Sequence, residues 1–201
     1  MEKSTHLLAK RLLNRLDTSS ALKATSENLE LLTQNKTFKE HASAIVTDPH
    51  LSDSQKRTQL LYLLRSIDLP SLYDFFSDEL EPNQLWLFHT DKIDYFDRFV
   101  QSFQRLTETV HLIQLATVIP LSATDLSTIA ANFSKSFGYK VLIDHEVNPA
   151  LIGGVQARLE NLVFDYSLRS RFSQFQRQWL SSIHTLENTV SPPPLETHLP
   201  S

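Results

Sequence analysis

The chain has no cysteine among its 201 residues, which excludes disulfides, thiolate metal ligands and a cysteine nucleophile. Long hydrophobic runs are also missing, because stretches such as "VLI" and "LWLF" fall far short of the roughly 18 apolar residues that cross a bilayer. The formal net charge is -4, so no overall basic field favours nucleic acid as a partner. We expect an ordinary soluble globular protein that neither inserts into a membrane nor binds nucleic acid.

Glycine is nearly as scarce, since the chain has three and all lie between residues 138 and 154. Gly138 follows an amphipathic stretch, the position at which glycine ends helices. Gly153 and Gly154 follow "NPALI" and lead into a strand-like stretch, whereas a phosphate-binding glycine loop precedes the N-terminus of a helix. We therefore expect a turn or bulge at the glycine pair. A nucleotide-binding enzyme that uses the Gly153-Gly154 loop stays open as an alternative.

The sequence shows no constellation typical of catalysis. The eight histidines are scattered singly, and His89, Asp91 and Asp94 in "HTDKID" would not share a helix face. A G-x-S-x-G motif, which would expose a nucleophilic serine, is absent. We expect no catalytic residues, no metal site and no cofactor.

The hydrophobic pattern changes character near residue 108 and predicts two domains. Residues 1–108 carry apolar side chains at helical spacing in six stretches with short connections, which predicts an antiparallel six-helix bundle. One of these stretches starts with Ser52 and Gln55 at the spacing of a capping box. The apolar spacing also predicts one long helical stretch from Leu85 to Leu106.

Residues 109–187 predict a small α/β domain. "VHLIQLATVIPL", "YKVLIDHEV", "GVQARLE" and "LVF" have the composition of strands, and a helix capped by Ser122 runs to Gly138. Asp165 is the predicted N-cap of a long C-terminal amphipathic helix, and the Pro-rich tail, residues 188–201, is predicted to be disordered. The predicted fold class is α+β, with the helical bundle followed by the α/β domain and its long final helix.

Charge and aromatic residues suggest binding surfaces. Between Asp68 and Asp97 there are eight acidic residues and one basic residue, Lys92. A solvated surface is the simpler interpretation, and a docking surface for a basic partner is the alternative. The aromatic side chains of the helical stretches fill the core in the simpler interpretation, and some can form a groove for a partner helix. From the residues alone we predict a two-module binding protein.

The stretch "VNPALIGGVQARLENLVFDYSLRSRFSQFQRQWL" resembles the C-terminal signature of the delta subunit of F-type ATP synthases, the family of the oligomycin sensitivity-conferring protein. The matching positions are Pro149, Leu151, Ile152, Gly153, Gly154, Asp165, Ser167, Arg169 and Arg171. "VIPLSATDLSTI", "DPHLSDSQKRTQLLYLL" and "LYDFFSDELEPNQL" also resemble family segments, and the likeness runs in order from about residue 5 to 185. Tyr166 departs from the family, which usually has a small residue there.

The resemblance implies a non-catalytic stator of ATP synthase, whose N-terminal domain binds the N-terminal helices of alpha subunits and whose C-terminal domain binds the b subunit. Alpha would bind between the first and fifth helices, and the last helix would support binding of b. Apolar positions on both helices and the acidic stretch around them place the alpha site near a set of five residues, and two aromatic residues of the last helix are expected to support docking of b. The residues are Ala9, Leu12, Leu72, Phe75 and Phe76 for alpha, and Phe175 and Trp179 for b. Burial of Phe175 and Trp179 under their own sheet is the alternative for the last helix.

The resemblance also implies a location. A stator subunit is peripheral to the membrane, and we expect this one on the cytoplasmic side of a bacterial inner membrane, since the N-terminus shows no leader or transit pattern. A helical interaction adaptor unrelated to ATP synthase is the remaining alternative.

Overall fold

The computed structural model describes residues 2–89, 94–168, 170–175 and 177, with the backbone alone at residues 2, 3, 82 and 83. The described part is a mixed α+β fold, which confirms the predicted class. Two compact units divide the chain: one runs to Gln114 and resumes from Leu121 to His145, and the other contains Leu115–Pro120 and the described residues from Glu146 on.

The helical elements that precede the sheet occupy most of the first unit. They are α1 (Glu2–Asn14), α2 (Ser19–Gln34), α3 (Lys36–Thr47), α4 (Asp53–Ser66), α5 (Pro70–Glu79), a 3₁₀ segment (Pro82–Phe88) and α6 (Tyr95–Thr107). The long helical stretch predicted from Leu85 to Leu106 is therefore wrong. Pro82 opens the 3₁₀ segment, which ends at Phe88, and α6 begins anew at Tyr95 with Asp94 as its N-cap.

The remaining elements form a four-stranded sheet and its connections. They are β1 (His111–Thr117), α7 (Ala123–Phe137), β2 (Val141–Val147), a 3₁₀ turn (Pro149–Leu151), β3 (Val155–Leu159) and β4 (Leu162–Asp165). The strand order is β2-β1-β3-β4, and β3 pairs antiparallel with β4 through a turn at Glu160 and Asn161. Residues 168, 170–175 and 177, here called the C-terminal segment, are helical. The rest of the predicted long helix and the predicted disordered tail lie outside the described residues.

Local side-chain chemistry sets several helix ends as predicted. Ser52 and Gln55 form a full capping box at α4, and Ser122 does the same with Asp125 at α7. These residues satisfy backbone N–H groups that a helix start otherwise leaves unpaired. Gly138 ends α7 with a φ of 77°, the left-handed conformation that glycine adopts without cost. Each of these helix ends is thus set by residues close together in the sequence.

Aromatic rings fill the core of the helical elements. Phe38, Phe76, Phe88 and Phe96 are each at most 3% exposed, and the Phe76 ring lies 5.6 Å from that of Phe88 in an edge-on arrangement. Phe88 and Phe96 stack at 5.7 Å, although they belong to two separate elements. Such contacts add to the stabilisation from burial. The simpler interpretation of the helical aromatic residues is confirmed for these four.

The outer edge of β2 is covered by the connection between α1 and α2. The Ile143 amide donates to the Asp17 carbonyl oxygen at 2.9 Å, and Thr18 forms a parallel bridge with Ile143. The Ser19 hydroxyl donates to Asp144 at 2.7 Å, and Lys140 Nζ lies 3.2 Å from Asp17 Oδ1. A covered edge cannot pair with another chain. These contacts therefore tie β2 to the start of the helical part within the first unit.

A three-residue ionic cluster joins α3 to the start of α6. Lys39 Nζ lies 2.9 Å from Asp94 Oδ2 and 2.6 Å from Asp97 Oδ1, and Asp94 also caps α6 by accepting the Asp97 amide. Burial opposes the charge of Lys39, yet the bonds to Asp97 and Asp94 raise its pKa above the usual range. Burial would likewise raise the pKa of Asp94, but the Asp97 amide and Lys39 together lower it. Burial and the neighbouring Asp94 charge raise the pKa of Asp97.

Replacing the cation should therefore cost stability in a pH-dependent way. We expect Lys39→Gln to lower the free energy of unfolding by about 1–2 kcal/mol at pH 7, because it leaves two partly buried carboxylates facing each other. In the parent protein the lowered pKa keeps Asp94 ionised to lower pH than an ordinary aspartate, whose pKa is about 3.9. The difference from the parent protein should therefore shrink only well below that pH. Urea unfolding at about pH 7 and about pH 2.5 measures both values. Lys36→Gln, on an exposed position of the same helix, is the control for net charge, and a pH-independent loss would contradict the cluster's role.

Candidate protein-interaction sites

The five residues expected to contact alpha lie in the protein core. Ala9 and Leu72 are 0% exposed, Leu12 is 2% exposed, and Phe75 and Phe76 are each 1% exposed. Side chains with so little exposure offer no surface to a partner in this conformation. Their apolar character is explained by packing in the core, and these five side chains are not exposed for contact with a partner in this structure.

Ion pairs close the seam between α1 and α5 where we expected a groove. Arg11 Nη1 lies 2.7 Å from Glu79, and Arg15 reaches Asp78 at 2.9 Å and Glu79 at 3.2 Å. The Arg15 guanidinium also lies over the Phe75 ring, 5.4 Å from its centroid, a favourable cation–π distance. Asp91 lies outside the described residues. Of the seven described acidic residues between Asp68 and Asp97, four are in ion pairs, namely Asp78, Glu79, Asp94 and Asp97. Much of the acidic stretch is therefore neutralised within the chain.

A cleft opens further along α1, beside the 3₁₀ segment. It has a volume of about 220 Å³ and is lined by Ser4, Leu7, Leu8, Arg11, Gln84 and Trp86, a set called the α1 cleft below. Leu7 is 51% exposed at its rim, and Leu8, which is 5% exposed, belongs to the core beneath it. The Gln84 side-chain oxygen Oε1 is buried and has no hydrogen-bond partner among the described residues. Buried polar atoms are usually paired, so this oxygen is an exception among the described residues.

A larger apolar cleft of about 580 Å³ lies between α3 and α4, with Ile45, Tyr62 and Leu63 among its lining residues. Tyr62 is 76% exposed. Sequence reasoning missed this cleft because the same residues fit the apolar pattern of two ordinary packed helices.

The predicted signature residues of the second unit come together in one corner. Its members are Pro149, Leu151, Ile152, Gly153, Gly154, Asp165 and Ser167, called the signature corner below, while Arg169 lies outside the described residues. The Tyr166 amide donates to the Val155 carbonyl and the Leu168 amide donates to the Gly153 carbonyl, each at 2.9 Å. The backbone of the glycine pair is thus bonded directly to the start of the C-terminal segment.

The corner gives Gly154 a steric explanation, whereas Gly153 faces only the flexible Leu168 side chain. Gly154 has a φ of 86°, and a Cβ there would meet the Tyr166 carbonyl oxygen and lie 2.8 Å from Ser167 Cα. A Cβ at Gly153 would lie 2.6 Å from Leu168 Cδ1. Glycine serves here for close approach of two backbones and for a left-handed φ. The expected turn is confirmed, and the glycine pair precedes a strand rather than a helix, which gives no support to a phosphate loop.

The N-cap of the C-terminal segment is Ser167, not Asp165 as predicted. Ser167 Oγ accepts the Ser170 amide at 3.2 Å. Asp165 lies before the helix, and its Oδ1 accepts the Ser167 amide at 2.9 Å. Bonds from the Ser167 hydroxyl and then from its amide lower the pKa of the Asp165 carboxyl. Asp165 therefore orients the capping residue, and Ser167 caps the helix.

An apolar stripe runs along the C-terminal segment. Leu168, Phe172 and Phe175 are 45%, 73% and 64% exposed, and the spacing i, i+4, i+7 places them on one helix face. Phe175 is thus a surface residue, which excludes burial under its own sheet for this side chain. Trp179, the other expected contact for b, lies outside the described residues.

The family model described as ATP synthase delta (OSCP) subunit matches residues 9–179 of this chain. The chain belongs to this family. A delta subunit is a non-catalytic part of the peripheral stalk of F-type ATP synthase, so the predicted family and the predicted absence of an enzyme activity of its own are both confirmed. Neither the unrelated adaptor nor the nucleotide-binding enzyme is favoured.

Relatives agree with the family assignment. The ATP synthase subunit delta of Anaeromyxobacter sp. (strain Fw109-5) is 29% identical over 159 residues, covering 76% of this chain and 83% of that protein. The subunit delta of Anaeromyxobacter dehalogenans (strain 2CP-1) is 30% identical over 139 residues, covering 66% of this chain and 72% of that protein. A chain of the Toxoplasma gondii mitochondrial ATP synthase hexamer is 20% identical and covers 90% of this chain, with a TM-score of 0.34 that carries no further argument.

The described residues of this delta subunit were also searched for metal sites and for membrane-spanning helices. They contain no group of three or more His, Asp or Glu side chains that could hold a metal ion. No described helix is both long enough and apolar enough to cross a membrane.

The two left-handed glycines of this delta subunit form a matched pair for a test of the signature corner. Gly138 and Gly154 have similar φ values of 77° and 86°, but a Cβ at Gly138 meets nothing within 4 Å. We expect Gly138→Ala to cost about 1 kcal/mol from the left-handed conformation alone. Gly154→Ala should cost about 3 kcal/mol or more, because backbone atoms must also move apart. Urea unfolding measures both, and equal losses would contradict the steric role of Gly154.

Proposed function

We propose that this delta subunit joins the catalytic head of ATP synthase to the b subunit of the peripheral stalk. In this proposal the bundle of helices in the first unit binds the N-terminal helices of alpha subunits, and the second unit binds b. The complex would lie on the cytoplasmic side of a bacterial inner membrane, with delta peripheral to it. The observation that carries the proposal is the family match, which runs through both units.

The physical task of such a subunit is to hold two partners at once. A stator resists the torque that the rotor applies to the head, so it needs two separate and stable interfaces and no reaction chemistry of its own. A stable interface buries roughly 1,600 Å² in total, with apolar anchors at its centre. Each unit of this chain has an exposed apolar surface that could supply such anchors.

The α1 cleft is the proposed site for an alpha N-terminal helix. Leu7 and Trp86 provide apolar surface on its two sides, and Leu8 forms its floor. Ser4 and Arg11 make its rim polar, and Gln84 Oε1 is a buried acceptor without a partner among the described residues. An amphipathic helix with polar residues beside its apolar face fits this arrangement. The site stays on α1, as the family resemblance implied, but shifts from the α5 seam to the 3₁₀ segment.

A charge placed in the α1 cleft should prevent binding of alpha without unfolding the protein. We expect Leu7→Asp to weaken binding of a synthetic peptide of the alpha N-terminus at least tenfold by calorimetry, because a carboxylate would be desolvated in the interface. Leu7 is half-exposed, so the melting temperature should change little. Leu31→Asp, at a position on α2 that is 61% exposed, is the matched control and should bind normally. Unchanged affinity of Leu7→Asp would remove the cleft as the alpha site.

The apolar stripe of the second unit is the proposed site for b. Its three side chains lie on one helix face, and the exposed residues Arg171 and Arg177 belong to the same segment. A partner helix with an apolar face and acidic flanking residues would match both features. Phe172 and Phe175 are suitable anchors, since aromatic side chains bury large area with little loss of conformational freedom.

Loss of the two exposed rings should separate the two binding activities. We expect the double variant Phe172→Asp/Phe175→Asp to bind the soluble part of b at least tenfold more weakly, while its affinity for the alpha peptide stays unchanged. Leu31→Asp again serves as the control and should bind both. Surface immobilisation of b and titration of each variant gives the affinities. Normal binding of b by the double variant would refute the stripe as the site.

A further inference from the structure

Ile152, in the signature corner, has a backbone conformation that its side chain disfavours. Its φ is 60° and its ψ is -32°, and the Gly153 amide donates across it to the Leu151 carbonyl at 2.6 Å. This is a γ-turn with a positive central φ, a rare and strained type. A β-branched residue in the left-handed region is an outlier. The turn contains glycine at the next two positions, yet isoleucine occupies the strained one.

Packing against the described part of the chain does not offset this strain. Ile152 is 72% exposed, so little of its side chain gains from burial in the free protein. Ile152 is followed by Gly153, whose carbonyl accepts the Leu168 amide at 2.9 Å. A Cβ added at Gly153 would lie 2.6 Å from Leu168 Cδ1, so the two residues are in close contact. Leu168 begins the apolar stripe. Ile152 therefore lies beside the end of that stripe, in a turn whose backbone is fixed by two hydrogen bonds.

Strained residues that persist without a structural benefit point to function. We propose that Ile152 is a specificity-determining contact residue of the interface with b, held out by the γ-turn as an apolar knob beside Leu168, Phe172 and Phe175. The occupant is an amphipathic helix of b whose apolar stripe receives the knob and whose acidic residues face Arg171 and Arg177. The inference rests on the proposed function of the second unit and adds a residue that lies outside the C-terminal segment. Since the turn holds the knob in place before binding, little conformational freedom is lost on contact.

Replacement by glycine separates binding from stability, because the two should change in opposite directions. Ile152→Gly relieves the left-handed φ, so the melting temperature should rise by about 2 °C. The same variant lacks the knob, so its affinity for the soluble part of b should fall about tenfold. Ile152→Ala keeps the strained backbone and trims the knob, and it should lose affinity without any gain in melting temperature.

Glu160→Gly is the matched control. Glu160 also has a positive φ, 50°, and lies in the same unit at the β3–β4 turn, the end of the hairpin away from the glycine pair. It should bind b with the affinity of the parent protein.

The outcomes distinguish this inference from the proposed function. Weaker binding by both Ile152 variants, together with normal binding by Glu160→Gly, supports the knob. Parent-like affinity of Ile152→Gly overturns it while leaving b as the partner, and a lower melting temperature of Ile152→Gly overturns the strain argument. If the parent protein fails to bind b at all, the proposed function of the second unit fails, and the inference fails with it.

Discussion

The backbone at Gly154 approaches that of Tyr166 and Ser167 so closely that no side chain fits between them. This contact fixes where the C-terminal segment leaves the β3–β4 hairpin, and two hydrogen bonds from Tyr166 and Leu168 hold it in place. The Asp165 carboxylate accepts the Ser167 amide, and Ser167 then caps the helix that carries the apolar stripe. The orientation of the proposed surface for b thus depends on one steric constraint and a short chain of backbone bonds.

The first unit combines a packed core with an exposed apolar surface at the proposed site for a partner. Its aromatic rings are buried against one another, and the charges of α1 and α5 pair across the seam. The exposed apolar residue at the α1 cleft, Leu7, lies outside that core. A core separate from the binding surface allows a partner to be gained or lost without refolding.

Features that depend on neighbouring residues could be predicted from the sequence. Features that depend on contacts between distant segments could not. Ser52 with Gln55 and Ser122 with Asp125 form their caps within three residues, and Gly138 ends its helix alone. Asp165 was predicted as the N-cap, whereas Ser167 caps the helix. Both residue types cap helices, and only the position of the hairpin backbone distinguishes them. The break between Phe88 and Tyr95 was missed because the apolar spacing continues across it, and the rings on both sides still join the same core.

By itself, then, the sequence determined the α+β class, several helix ends, the glycine turn and the family, since these depend on residue type and short spacing. It could not determine which apolar residues face outward. Leu7, Ala9 and Leu12 are all apolar residues of one helix, and Phe75 and Phe175 are equally apolar, yet Leu7 and Phe175 are exposed and the other three are buried. Periodicity indicates that a face is apolar, whereas burial depends on what packs against it from elsewhere in the chain. Only the tertiary structure could therefore separate the core from the exposed apolar surfaces.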